Sequence, residues 1–276
     1  MITLSAFADE ISPDLSEAIG VLKEKGLGTL DLRGVAGVNV MKFTPEHAKA
    51  AKAVLKREGM AVGSIATPIG KVDITDAFEP QVGQMMKAVE LAQAFGSRFI
   101  RVFSFYMPKG GEPPKKWRKD VLDRMGKLMD LVKVKDVTVV LENEEGLYGD
   151  TIERCVDVIT SLKDPRLKLA WDPCNEIILG ERPYSDTYAT ARKHLSYVHV
   201  KDWNRDRKEM VPAGQGSAEW DKTMGALKGD GWAGIMALEP HLSAAGKFSG
   251  FTGPALFGEA HAALTGLLKQ AGIEYR

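Results

Sequence analysis

The sequence holds only two cysteines, Cys155 and Cys174, among 276 residues. So few build no disulfide framework, and they fit a reducing cytoplasm. An excess of charge of one sign is also missing: 37 basic and 37 acidic residues cancel, so the chain lacks the basic surplus of a nucleic-acid binder. No run approaches the roughly 18 apolar residues of a membrane span. The opening Met1-Ile2-Thr3-Leu4-Ser5 has no basic stretch and meets Asp9 and Glu10 too early for a signal peptide, so an unprocessed start is expected. No Gly-x-Gly-x-x-Gly follows the first strand, which removes the usual mark of a dinucleotide fold. These absences leave a soluble cytoplasmic protein that acts on a small molecule, with neither nucleic acid nor membrane as partner.

What is present is a repeated junction. Val137-Thr138-Val139-Val140-Leu141 is a short, mostly β-branched apolar run, the pattern of a strand buried on both faces, and it ends in Glu142-Asn143-Glu144-Glu145. The same pattern recurs where Leu167-Lys168-Leu169-Ala170-Trp171 meets Asp172, where Tyr197-Val198 meets His199, and where Ile235-Met236-Ala237-Leu238 meets Glu239. Packing does not require acids at such ends. Upstream, strands are expected at residues 2–7, 29–32, 61–66 and 99–103. Helices alternate with them: one after Ser12-Pro13, one opened by Thr44-Pro45 and closed by Gly59, then 80–95 and 117–134. Asp150-Thr151-Ile152-Glu153 reads as a variant capping box, and further helices are expected at 186–194, 218–227 and 254–271. Eight strand-helix alternations without a linker predict a single-domain α/β (β/α)₈ TIM barrel over residues 1–276.

A barrel of this kind gathers its site at the C-terminal ends of its strands. Glu142, Asp172, His199 and Glu239 would then open onto one face as a metal-ligand set. Taken singly, each has a bland explanation: a solvated loop acid, a turn former before Pro173, a buried core histidine, a salt-bridge partner. Four in register on consecutive strands outweigh those explanations. Three carboxylates with one imidazole favour Mn²⁺ or Mg²⁺, with Co²⁺ and Zn²⁺ as further candidates.

The stretches Leu141-Glu142-Asn143, Trp171-Asp172-Pro173-Cys174-Asn175, His199-Val200-Lys201-Asp202 and Leu238-Glu239-Pro240-His241 resemble the xylose isomerase-like TIM barrel superfamily, the sugar phosphate isomerase/epimerase group. Phe7-Ala8-Asp9-Glu10-Ile11 and Pro212-Ala213-Gly214-Gln215-Gly216, followed by Trp220, agree with it. The resemblance implies one divalent ion on Glu142, Asp172, His199 and Glu239, with Glu142 and Glu239 as the acid–base pair. The implied reaction is isomerisation or epimerisation of a sugar or sugar phosphate, by proton abstraction next to a carbonyl through a metal-stabilised enediolate. A metal-dependent dehydratase of the inosose or 3-dehydroshikimate type and a non-catalytic sugar-binding barrel are the alternatives. Members of the group are often oligomeric, so a homo-oligomer is compatible.

Asn143 and His241 are candidate substrate contacts, and Arg205 resembles a family position that holds a substrate oxygen, with Arg207 nearby. Asn175 stands where family epimerases often carry histidine, and Gln215 where glutamate is common. Asp9, Glu10, Asp31 and Arg33 are open between capping, mutual pairing and the site. Phe105, Tyr106, Phe248 and Phe251 could cover a sugar or only seal the barrel top. Lys109-Gly110-Gly111 and Gly214-Gln215-Gly216 are glycine loops that could hold a phosphate.

Overall fold

A computed structural model describes residues 1–132, 136–242 and 252–276. Eight strands form one sheet: β1 (Thr3–Ala6), β2 (Thr29–Leu32), β3 (Ala61–Ala66), β4 (Phe99–Val102), β5 (Thr138–Glu142), β6 (Leu167–Trp171), β7 (Leu195–Val200) and β8 (Ile235–Leu238). Their order is β1-β8-β7-β6-β5-β4-β3-β2, and neighbouring strands pair in parallel. A parallel bridge between Phe7 and Asp31 brings the two ends of the sheet together, so the sheet is a barrel. Among the described residues no helix is long and apolar enough to cross a membrane.

The period-2 alternation of a strand divides its side chains between two environments. Val139, Leu141, Leu169, Trp171, Val198, Val200, Met236 and Leu238 face outward into the main core with the surrounding helices. The alternate positions Val140, Ala170, Tyr197 and Ala237 join Phe7 and Ala66 in a separate cluster inside the barrel. Three of those six are alanines, which suits the narrow interior of an eight-stranded barrel. The next inward positions along the four strands are Glu142, Asp172, His199 and Glu239. The barrel's own periodicity therefore stacks these polar groups above a small apolar floor.

A buried polar network adjoins that floor through Tyr197. The Asp31 carboxylate accepts from Ser5 Oγ at 2.7 Å, Ser64 Oγ at 3.0 Å and the Tyr197 hydroxyl at 2.6 Å. Glycine at position 63 is required here, because a Cβ would lie 2.6 Å from Asp31 Oδ1 and 2.8 Å from the Tyr197 hydroxyl. A fully buried carboxylate that loses a donor keeps its desolvation cost. Tyr197→Phe should therefore lower stability by about 1–3 kcal/mol in urea denaturation, and an unchanged midpoint would show that the hydroxyl contributes nothing.

Helix boundaries follow local capping. Thr44 caps Pro45–Glu58 in a reciprocal box with His47, and Gly59 ends the helix at φ 65°, as the sequence predicts. Two caps differ. The helix Leu15–Glu24 is capped by Asp14, whose side chain accepts from Glu17 N, while Ser12 Oγ accepts from Asp14 N and so shapes the turn before it. Thr151 caps Ile152–Leu162, and Asp150 pairs with Arg154 instead. Adjacent Asp, Ser and Thr are all competent caps, and tertiary approach decides which one is used. The helix expected at 117–134 is Arg118–Asp130, and residues 133–134 of that expectation lie outside the described residues.

Candidate metal site

Glu142, Asp172, His199 and Glu239 each offer a ligand atom, and these atoms lie within 4.8 Å of one another, all four residues being buried. Glu142 ends β5, and His199 sits within β7, with Nδ1 2.9 Å from Glu142 Oε1 and 3.8 Å from Glu239 Oε2. Asp172 serves two structures at once. Its Oδ1 caps the helix Pro173–Ile178 by accepting from Cys174 N at 2.9 Å and Asn175 N at 3.2 Å, and Pro173 begins that helix. Its Oδ2 is left facing the site.

A divalent cation fits this set. Among the described residues, His199 Nε2 is buried without a hydrogen-bond partner, and Asp172 Oδ2 is buried with only the Lys201 ammonium beside it. Buried polar atoms are rarely orphaned, and a ligand role is one standard explanation. The donors, three carboxylates and one imidazole, are those of a hard or borderline cation.

Three cations flank the carboxylates, and Lys201 is shared between two of them. Arg101 Nη1 donates to Glu142 Oε2 at 2.9 Å, Lys201 Nζ lies 2.7 Å from Asp172 Oδ2 and 3.4 Å from Glu239 Oε2, and Arg33 Nη1 donates to Glu239 Oε1 at 2.7 Å. Burial by itself would raise the Glu142 carboxyl, but His199 and Arg101 overcome it and hold the group below its ordinary range. Burial likewise opposes ionisation of Glu239, yet Lys201, His241 and Arg33 keep it well below the usual value. At Asp172 burial wins over Lys201, and the carboxyl is pushed up to about 6.

Arg33 is shared further, at 2.8 Å from Asp9 and 2.9 Å from Glu10. Glu10 also contacts His241 Nδ1 at 3.0 Å and accepts from the Thr252 hydroxyl at 2.8 Å. Glu10, Glu239 and His241 thus form a second buried acid–histidine group. His241 adopts a left-handed backbone at φ 51° beside it.

The other candidate residues divide by position. Asn175 and His241 line a cleft of about 660 Å³ that Glu142 and Glu239 also line. Asn143 is fully buried and acts as a strut: its amide accepts from Asp172 N at 2.8 Å and donates to Asp172 O at 2.9 Å. Asn175 continues the tie by donating to Asn143 O at 2.8 Å. Arg205 donates to the carbonyl of Glu181 at 2.7 Å, beyond the end of the 173–178 helix, while Arg207 pairs with Glu209 at 3.0 Å. Phe105 is buried and packs edge-on against Phe78, and Tyr106 bridges to Asp73 and Leu147. Phe248 and Phe251 lie outside the described residues.

Lys201, Arg101 and Lys71, which lines the same cleft, were not singled out by sequence reasoning. A period-2 signal existed: Lys201 is two residues past His199 on the inward series of β7, and Arg101 interrupts the apolar run of β4.

Residues 21–265 match the family described as the xylose isomerase-like TIM barrel. No curated protein matches the chain. Among solved structures, D-allulose 3-epimerase from Methylomonas sp. in complex with D-allulose is similar at 18% identity and TM-score 0.76, covering 98% of this chain and 97% of that one. A probable 3-DHS dehydratase, AsbF, from Bacillus anthracis is similar at 17% identity and TM-score 0.74, covering 96% and 99%. A xylose isomerase-like TIM barrel protein from Mycobacterium smegmatis in complex with magnesium is similar at 16% identity and TM-score 0.71, covering 98% and 97%. At these identities the likeness is one of fold.

Proposed function

Because the chain belongs to the xylose isomerase-like TIM barrel family, we propose that it is a divalent-metal-dependent isomerase or epimerase of a sugar or sugar-like compound. The observation that carries this reading is the pair Glu142 and Glu239, two buried carboxylates from different strands that both approach His199 Nδ1. Glu142, Asp172, His199 and Glu239 would hold the cation, Mn²⁺ or Mg²⁺ by the chemistry of the donors, and the magnesium-bound relative supports that class. When bound, the cation would supply Lewis-acid polarisation of a carbonyl and stabilise the charge that develops on its oxygen.

The chain's own groups do the rest. One glutamate, as the carboxylate, takes the proton from the carbon beside the carbonyl, and the other, which has first taken up a proton from water, returns it from its own side. Arg101 beside Glu142, and Arg33 and Lys201 beside Glu239, favour the ionised form from which either can act as the base. Asn143 fixes the end of β6 relative to β5 and so sets the spacing of Glu142 and Asp172. The D-allulose bound in the similar epimerase supports a sugar-like substrate.

The test is proton NMR of free ketoses, their phosphates and inososes in D₂O with the Mn²⁺-loaded protein and a chelator control. Deuterium should enter beside a carbonyl only when metal is present. Water loss from the substrate would turn the assignment to a lyase, and absence of exchange across the panel would leave a binding protein.

A further inference from the structure

We propose that the substrate is an uncharged polyhydroxy carbonyl compound and carries no phosphate, an inference that rests on the isomerase or epimerase reading above. The cleft contains four cationic side chains, Arg33, Lys71, Arg101 and Lys201, which would suit an anionic ligand if they were available. Each is already committed. Arg101 is held by Glu142, Lys201 by Asp172 and Glu239, and Arg33 by Asp9, Glu10 and Glu239. Lys71, the cation nearest the rim, pairs with Glu144 at 2.6 Å and lies over the Phe103 ring at 4.4 Å.

Beyond these pairs the rim adds Glu145, so the lining holds more Asp and Glu side chains than Lys and Arg side chains. A phosphate dianion entering here would have to break an existing pair and would sit beside the carboxylate it displaced. Sugar hydroxyls face no such conflict, since they donate to carboxylate oxygens and accept from ammonium and guanidinium groups without disrupting net charge.

A second observation comes from the glycine loop after β7, the natural place for a phosphate cradle. The backbone N–H groups of Gly214 and Gly216 both donate to Asp202 Oδ2, at 2.9 and 3.0 Å, and Ala218 N donates to Asp202 Oδ1 at 3.0 Å. Such a cluster of amides is an anion-binding concavity, and here the chain fills it with its own carboxylate. The fit is close: a Cβ on Gly216 would lie 2.3 Å from Asp202 Oδ1. A phosphate entering the cleft therefore finds its four lysine and arginine side chains already paired and the amides of the 214–218 loop already filled.

The experiment uses the full Mn²⁺-loaded chain and matched pairs of ligands, a free ketohexose with its 6-phosphate and a free ketopentose with its 5-phosphate. Calorimetric affinity is measured beside the rate of deuterium exchange. The free member of each pair should bind about tenfold or more tightly than its ester, since like-charge contacts cost this much or more. Glu144→Gln, which releases Lys71 at a half-exposed position, should narrow that ratio by raising ester affinity. An ester that binds as well as or better than its parent overturns the inference while leaving the isomerase or epimerase reading intact. Tighter binding of the free sugar with no exchange sinks that reading instead. Binding of neither member overturns both.

Discussion

Glu142→Gln and Glu239→Gln should each leave a folded protein whose metal-dependent deuterium exchange falls by about 10²–10⁴-fold, the range that general acid–base groups contribute. The two variants should not be equivalent in other respects. Glu142 answers to Arg101 and His199, so its amide leaves one guanidinium short of a partner. Glu239 answers to Arg33 and Lys201 and lies near His241, so its amide disturbs a larger set and should also weaken cation binding more. Measuring exchange at saturating Mn²⁺ separates lost chemistry from lost metal. Turnover within tenfold of the parent in either variant would remove that residue from the acid–base pair.

Lys201→Met should produce the largest stability effect. Lys201 is buried with its ammonium against Asp172 and Glu239. Removing one partner of a buried ion pair costs about 3–5 kcal/mol, because the remaining charge is uncompensated. The metal-free variant should therefore melt well below the parent. Mn²⁺ should recover much of the loss, since a cation among the same carboxylates supplies the missing positive charge, and ligand at 100 times its Kd adds about 2.7 kcal/mol of its own. The metal-induced rise in melting temperature should thus be larger in the variant than in the parent. An equal or smaller rise would show that Lys201 and the cation do not answer to the same charges.

The cluster of Glu142, Asp172, His199 and Glu239 was legible in the sequence because each follows a buried apolar run with a group that packing does not require. Their partners were not. Arg101 falls inside an apolar strand and Lys201 follows the ligand histidine closely, so both read as local exceptions until the barrel places them on the inward face with Glu142 and Glu239. Asn143 was visible as a polar residue at the right strand end, but nothing in a sequence distinguishes an amide aimed at a ligand from one that bonds the neighbouring strand's backbone. The exchange of Ser12 for Asp14 as a cap has the same origin: local chemistry offered several solutions, and contacts distant in sequence selected one.

The double duty of Asp172 bears on how this barrel can change its substrate over evolutionary time. One oxygen anchors the helix Pro173–Ile178 and the other faces the acid–histidine cluster, so insertions or rewrites just after β6 would swing a member of that cluster as they reshaped the loop. The stretch after β4 around Lys109, Gly110, Gly111 and Glu112 is exposed and supplies none of the four ligands. New specificities, natural or engineered, have their open ground there, where loop length can vary without moving the chemistry.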